Sequence, residues 1–466
     1  MSKNVQAIVL AAGQGTRMKS SLPKVLHPVA GRPMVHHVVR VAIEAGASRV
    51  VVVVGHGREH VERSLREAFG DQVAFAHQET QRGTGHAALV GLLEITPEAE
   101  EILLLYGDTP QLQTADLVKL GESMSSSGCG LSMLTCRVTD PTGYGRILRD
   151  SEGNVRSVRE HRDCSDEERR INEINPGVYR ARAALLRAAL PTLRSDNAQG
   201  EFYLTDIVEI AAKSAGVDTI LADASTLEGI NDRAQLHRAE EAMFARIADR
   251  WRRAGVTVLS GGEHRRCFQE ISTDALVEQG VVLRGKTKVG ERARIGVGSV
   301  LTDVLVGDDV EVKPYSVMSS STVGDRAHIG PFSHLRPGSE LHEDVHVGNF
   351  VETKATTMRK GAKANHLAYL GDGDVGSGSN IGAGTIFCNY DGFAKHKTVI
   401  GTGVFIGSDS QLVAPLTIGD GAYVATGTTV TRDVPADALA IGRIKQENKE
   451  GYASRLRNRL KAAAGK

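Results

Sequence analysis

Cysteine, aromatic residues and surplus charge are all scarce in this 466-residue chain, and each scarcity excludes a class of protein. The five cysteines (Cys129, Cys136, Cys164, Cys267 and Cys388) include no CxxC pair, so neither a disulfide framework nor a zinc ribbon is expected, and a reduced, cytoplasmic setting fits. Lys plus Arg and Asp plus Glu both total 56, a formal net charge of zero that argues against general affinity for nucleic acid or an anionic membrane. No run approaches the roughly 20 apolar residues of a membrane span. The apolar stretch Val5 to Ala12 runs straight into a glycine loop and reads as a first β-strand, not a signal segment.

What the chain does have is an aliphatic residue at every sixth position from Ile400 onward: Ile400, Ile406, Leu412, Ile418, Val424 and Val430. Helices repeat at 3.6 and strands at 2, whereas six matches a short strand plus a turn, stacked coil on coil as a parallel β-helix. The spacing recurs at Val289, Ile295 and Leu301, then after a five-residue step at Val306, Val312 and Met318. It continues through Val323, Ile329, Leu335, Leu341, Val347 and Thr353, and again through Val375, Ile381 and Phe387. Residues 270 to 435 are therefore expected to form one stack, rising ~4.8 Å per coil.

The regularity fails twice. Between Thr353 and Val375 the spacing is not a multiple of six, and this interruption carries Lys354, Asn365, His366 and Tyr369. From Phe387 to Ile400 one residue too many is present, in a segment holding Cys388, Asn389, Tyr390 and Asp391. Sequences tend to break their local rules at functional sites, so chemistry is expected in these two breaks. A lone loop histidine is more often a surface residue. Its place beside Lys354 and Tyr369, and the ordinary imidazole pKa near 6.5, make His366 a candidate general base. His328, His334, His342 and His346 are expected as solvent-facing turn residues, since four residues apart is not one face of a β-helix.

In the N-terminal region, the strand pattern VQAIVLAA (5–12) is followed by GQGTRM (13–18) and LPKVL (22–26). Glycines directly after a strand make a backbone concavity for phosphates, with Arg17 and Lys24 as cations to neutralise them. The loop lacks the GK[ST] of a Walker A and the third glycine of a dinucleotide fingerprint. A helix pattern from Met34 to Ala45 and a strand from Val50 to Val54 complete a βαβ unit, predicting a parallel, doubly wound sheet. QRGTGHA (81–87) is another glycine turn opening a helix. The strand Ile102 to Leu105 delivers Tyr106, Gly107 and Asp108 at its carboxyl end, where ligands bind in such sheets. An aspartate there is either a hard oxygen ligand for Mg²⁺ or a helix cap. After Asn231 a helix to about Ala254 carries Leu236, Met243, Ile247 and Trp251 on one face and reads as a solvated amphipathic connector.

LAAGQGTRM, LPKVL, QRGTGHA, LLYGDTP, DPTGYGRI (140–147), EIN (173–175), QGEFYLTD (199–206) and EGIND (228–232) resemble the sugar-nucleotide pyrophosphorylase signatures. With the hexapeptide stretch behind them, their order is similar to that of the bacterial bifunctional N-acetylglucosamine-1-phosphate uridylyltransferase/glucosamine-1-phosphate N-acetyltransferase family. The resemblance, from about Val5 to Tyr452, implies a uridylyltransferase domain (1–233) of doubly wound, Rossmann-like α/β fold and a helical linker (234–254). It further implies a left-handed parallel β-helix with a C-terminal tail (255–466) as the acetyltransferase domain.

The resemblance implies that Leu10, Ala11, Ala12, Gly13, Lys24, Gln78, Gly83 and Thr84 bind the nucleotide. Tyr106, Gly107, Gly145, Glu160 and Asn175 complete the sugar-nucleotide pocket on the same ground, and Asp108 with Asn231 holds Mg²⁺, while Arg17 and Lys24 stabilise the transferring phosphates. In the β-helix it implies Arg336 and Lys354 on the substrate phosphate, Tyr369 and Asn380 on the sugar, and His366 as the base. Ala383, Asn389, Tyr390, Ser408, Thr426 and Arg443 would line the acetyl-CoA site. Pro176 stands where the family suggests Thr, and Thr426 where it suggests alanine. The implied activity is acetylation of glucosamine 1-phosphate, then uridylyl transfer from UTP to give UDP-N-acetylglucosamine, a precursor of peptidoglycan and lipopolysaccharide. A cytoplasmic homotrimer with no nucleic-acid or membrane partner is expected. A nucleotidyltransferase with a purely scaffolding β-helix is the rival reading, against which His366, Lys354 and Tyr369 count. The basic end, Arg455 to Lys466, reads as a solvated helix.

Overall fold

A computed structural model describes residues 4–259, 270–442 and 445–465. The chain divides into two compact units, Met1–Ala245 and Arg246–Lys466. The helix Arg233–Arg253 runs across that division, and on it Met243, Ile247 and Trp251 are at most 3% exposed. One face of the expected connector is thus buried.

The first unit is built on a ten-stranded sheet. Val5–Leu10 lies between Ala47–Val54 and Glu101–Tyr106, parallel to both, with Val73–His77 outside Ala47–Val54. Alternate side chains on these strands feed two separate cores. Ile8, Val51, Val53, Ile102 and Leu104 enter one, while Ala7, Val9, Val50, Val52, Leu103 and Leu105 enter the other. Burial on both faces is what makes these strands continuous apolar runs. The expected doubly wound arrangement holds for this half. Beyond it the sheet turns antiparallel: Tyr179–Arg182 pairs antiparallel with Glu101–Tyr106 and Leu131–Arg137, followed by Glu173–Asn175, Gly145–Arg149 and Val155–Arg159.

The second unit is a stack of parallel two- to seven-residue strands, the curled sheets of a β-helix. Ile400, Ile406, Leu412, Ile418, Val424 and Val430 all point inward, none more than 5% exposed. The first expected interruption does not exist. Glu352 pairs with Tyr369 and Thr357 with Asp374 at one and the same offset, and Met358, Ala364 and Leu370 fill the interior at 0% exposure. The coil simply has one five-residue side. The six-residue pattern skipped it because Ala364 is too small to register as an aliphatic mark.

The second break is larger than its spacing implies. Ile386 pairs with Gln411 and Gln411 in turn with Thr429, yet the first of these steps is longer than the second by seven positions, which leave the coil as a loop. At its tip Phe393 is 97% exposed.

His328, His334 and His346 are strand residues, not turn residues, and only His342 of the four lies outside a strand. His328 and His346 are register partners with ring centroids 4.7 Å apart, and His328 Nδ1 lies 3.0 Å from Glu311. The basic end forms the helix Tyr452–Ala463, which buries no residue, as a solvated helix should. No helix among the described residues is long and apolar enough to cross a membrane.

Interior and outward neighbours on one strand give a stability test. Leu412→Ala, at 0% exposure, should cost roughly 3 kcal/mol through lost burial and the cavity left behind. Val413→Ala, next to it but facing out, should stay within about 0.5 kcal/mol. Denaturant unfolding of the full chain measures both, and equal losses would contradict the inward register.

Candidate active sites

In the first unit the parallel register Leu10 to Tyr106 brings two strand ends together, and Gly107 N donates to Leu10 O at 2.9 Å. Their continuations, Ala11, Ala12 and Gly13 on one side and Asp108 on the other, open on a cavity of about 220 Å³. Lys24, Gln78, Gly83, Thr84, Leu10 and Tyr106 complete the expected part of its wall. Gln81 and Glu201 also line it. Neither was singled out beforehand, although both stand inside the quoted QRGTGHA and QGEFYLTD segments. Gln81 Nε2 closes the glycine loop by donating to Ala12 O at 2.6 Å.

The centre of this site is Lys24. Its Nζ is 2.5 Å from Asp108 Oδ2 and donates to Asn231 Oδ1 at 2.9 Å. Asp108 and Asn231 are held side by side because Ile230 N donates to Asp108 O at 2.9 Å, and Asn231 N donates to Gln235 Oε1 at 2.7 Å. Two hard oxygens thus converge on one cationic nitrogen, and this oxygen donor pair is of the chemistry that would suit Mg²⁺. No group of three or more His, Cys, Asp or Glu side chains among the described residues could hold a metal by itself, so phosphate oxygens and water would have to complete the shell.

Gly15 is required where it stands. It has φ of 63°, and a Cβ there would lie 2.4 Å from Lys24 Cβ. Arg17, on the turn Thr16–Met18, is exposed and does not line the cavity.

Of the expected sugar-pocket residues, Gly145, Glu160 and Asn175 stand near one another behind Tyr106, and none of them lines the cavity. Asn175 Nδ2 donates to Tyr179 Oη at 2.6 Å and its Oδ1 accepts from Gly177 N at 3.1 Å. Asn175 is the register partner of Gly145. Gly177 must lack a side chain, because a Cβ would meet the Tyr106 ring at 2.2 Å. Glu160 accepts from Thr205 Oγ1 at 3.0 Å, and burial raises its carboxyl pKa above the ordinary range.

In the second unit the coil register lines up residues that sequence spacing could not relate. Lys363 pairs with Asn380, Asn380 with Phe405, and Phe405 with Tyr423. Three residues after each, His366, Ala383, Ser408 and Thr426 therefore fall in one column, one per coil. Backbone bonds continue it: Asp409 N donates to Ala383 O at 2.7 Å and Gly427 N to Ser408 O at 2.9 Å. At its head, His366 Nδ1 lies 2.7 Å from Asn349 Oδ1, its register partner. An amide oxygen accepts, so Nδ1 carries the proton and Nε2 keeps its lone pair toward solvent.

Across the corner at Leu367, on the other sheet, Lys354 Nζ donates to Asp372 Oδ1 at 2.9 Å and Asn389 Nδ2 to Asp372 Oδ2 at 2.5 Å. Burial would raise the Asp372 pKa, but these bonds from Lys354 and Asn389 outweigh it and lower it. Tyr369 Oη sits 3.5 Å from Asn389 Nδ2. Arg336 Nη1 donates to Glu352 Oε1 at 2.8 Å.

The seven-residue loop is tied by Asp391, which accepts from Ala394 N, His396 Nε2 and Phe393 N at 2.7, 2.7 and 2.8 Å. Those bonds hold its carboxyl well below the usual range. Tyr390 Oη donates to Gly392 O at 2.6 Å. Lys395, which the sequence reading did not pick, is brought back so near Lys354 that its pKa falls. Arg443 lies outside the described residues.

Residues 7–204 match the MobA-like NTP transferase domain, and residues 397–432 match the bacterial transferase hexapeptide family of six repeats. A bifunctional protein GlmU of Sorangium cellulosum is 61% identical over 465 residues, covering 99% of this chain and 98% of that one. Bifunctional GlmU proteins of Trichlorobacter lovleyi (46% identical, covering 97% and 98%) and of an Anaeromyxobacter species (50%, covering 96% and 92%) are also similar. Fold and sites together define a two-part transferase, a nucleotidyltransferase unit followed by a hexapeptide-repeat acyltransferase unit. Within that class, the chain belongs to the GlmU family of bifunctional proteins.

Gly15→Ala tests the Lys24 geometry. Displacing Lys24 should raise the KM for the nucleoside triphosphate about tenfold or more, with acetyl transfer unaltered. Steady-state kinetics of both activities measures this, and an unchanged nucleotide KM would contradict the contact.

Proposed function

We propose that the chain makes UDP-N-acetylglucosamine at two separate sites, acetylating glucosamine 1-phosphate on the β-helix and uridylylating the product on the α/β unit. The pair of reactions follows from membership of the bifunctional family. The assignment of residues rests on one observation above all: His366, Ala383, Ser408 and Thr426 form a single column of the prism. Three short side chains leave a strip along which an extended thioester can lie, with the base at one end.

In the acetyl step the amine of glucosamine 1-phosphate attacks the acetyl-CoA carbonyl, and His366 Nε2 takes the amine proton as the C–N bond forms and CoA thiolate leaves. Asn349 keeps the imidazole in the tautomer that can accept. Arg336 and Lys354 bind the sugar phosphate, with Tyr369 and Asn380 on the sugar. Ala383, Asn389, Tyr390, Ser408, Thr426 and Arg443 take acetyl-CoA. Because His366 and the Lys354 cluster lie on different sheets of one prism, a neighbouring copy would complete each site, and we infer a homotrimer. Tyr315, Phe332 and Phe350 support this: they stack at 5.4 Å spacings on the corner that continues to Leu367, each about half exposed.

In the uridylyl step the phosphate oxygen of N-acetylglucosamine 1-phosphate attacks the α-phosphorus of UTP and pyrophosphate leaves. Lys24 neutralises the phosphates as charge shifts to the leaving group, with Arg17 adding positive charge outside the cavity. Gly107, Gly145, Glu160 and Asn175 shape the sugar side. Asp108 and Asn231 would hold Mg²⁺, which supplies further charge neutralisation at the phosphates. Dependence on UTP and acetyl-CoA fits work in the cytoplasm, and the product feeds cell-envelope polysaccharide synthesis.

Incubation with glucosamine 1-phosphate, acetyl-CoA, UTP and Mg²⁺, omitting one at a time, tests the whole reading. Asp108→Ala should lower uridylyl transfer at least about 100-fold and spare acetylation, and His366→Ala should do the reverse. Loss of both activities from either folded variant would overturn the separation of sites. Full acetylation by His366→Ala would leave the β-helix a scaffold.

A further inference from the structure

Gln78 is 6% exposed and its amide is gripped from two directions. Nε2 donates to Gly83 O at 3.2 Å and lies 3.0 Å from Nδ1 of His86, on the helix Thr84–Leu92. Burial together with the nearby Arg82 charge lowers the His86 pKa, which favours the neutral ring. A neutral imidazole has one N–H. Gly83 O can only accept, so it fixes Nε2 as the amide atom on that side; Nδ1 of His86 faces the same Nε2 and is therefore the acceptor, and both Gln78 N–H groups are engaged. Oε1 is what Gln78 has left to present to the cavity. Gln81 differs: with one N–H on Ala12 O, it retains both a donor and an acceptor, and so discriminates nothing by itself.

We infer that His86 is a specificity-positioning residue: by holding Gln78 Nε2, it fixes Oε1 toward the base, so the pocket favours a base with a ring N–H there. Uracil offers such a donor at N3, whereas cytosine offers a lone pair that would face the Oε1 lone pairs. The inference rests on the cavity being the nucleotide pocket, and it supplies what the sequence motifs lack, a physical reason for preferring UTP to CTP. Without His86 one N–H of Nε2 loses its acceptor, and the 3.2 Å bond to Gly83 O alone opposes the amide's turning over to meet either base.

The test is the ratio of kcat/KM for UTP to that for CTP, measured on the full chain with N-acetylglucosamine 1-phosphate and Mg²⁺. His86→Leu, which removes the acceptor, should lower the ratio about tenfold or more. His86→Asn, whose Oδ1 can accept where Nδ1 did, should restore it to within about twofold. Acetyl transfer, read in the same preparations, should be unchanged and reports correct folding. An unaltered ratio in folded His86→Leu overturns the inference, as does a fall that His86→Asn fails to restore, which would mark a packing role only. A wild-type chain that transfers from neither nucleotide overturns the pocket reading and this inference with it.

Discussion

Coil closure governs the second unit. Each coil must bring the backbone back to the same corner about 4.8 Å further along, so that every strand hydrogen-bonds its successor. Coils of two lengths, differing by a single residue, both satisfy this, as the pairs Glu352 to Tyr369 and Gln411 to Thr429 show. An extra residue has nowhere to go inside, since the interior is filled by Met358, Leu370, Ile406 and Leu412 at zero exposure. It must leave the wall. Constancy of register turns one residue per coil into a straight column and turns a surplus into a projecting loop, and the proposed acetyl chemistry uses both devices. Burial of each interior Leu, Ile or Val contributes ~1.5–3 kcal/mol, so the scaffold is rigid enough to hold such alignments.

The first unit solves a similar positioning problem by strand ends. Parallel register between Val5–Leu10 and Glu101–Tyr106 sets the glycine loop opposite Asp108, and Lys24 then ties Asp108 to Asn231, which stands far along the chain. A lysine between two side-chain oxygens is both a structural clasp and a pre-placed positive charge. The same residue therefore links the packing of the loop to the electrostatics that phosphate transfer needs.

Much of this was legible in sequence, for identifiable reasons. Interior residues of the β-helix recur with a period no other structure shares, and Ile400 to Val430 are buried as that period requires. The apparent gap from Thr353 to Val375 misled because Ala364 fills an interior place without looking aliphatic, and because five-residue sides occur among those of six. The step from Phe387 to Ile400 could be two sides plus one residue or one side plus seven. Spacing cannot distinguish them, whereas the register selects the second. Antiparallel pairing around Glu173–Asn175 left no trace because three-residue strands carry no period. In the candidate sites, motifs single out Lys24, Asp108 and His366, but nothing in the sequence singles out Asn349 and Lys395. Their partners are contacts across a coil or a loop, and such contacts have no sequence signature.

The most direct measurement is to excise residues 390–396, the seven by which this coil exceeds its successor, and to assay stability and both activities of the shortened chain. If closure is the governing constraint, the shortened coil closes in the register of the one that follows it, thermal unfolding stays within a few degrees, uridylyl transfer is intact and acetyl transfer is lost. A shortened chain that fails to fold, or one that folds and still acetylates at the original rate, would contradict the account.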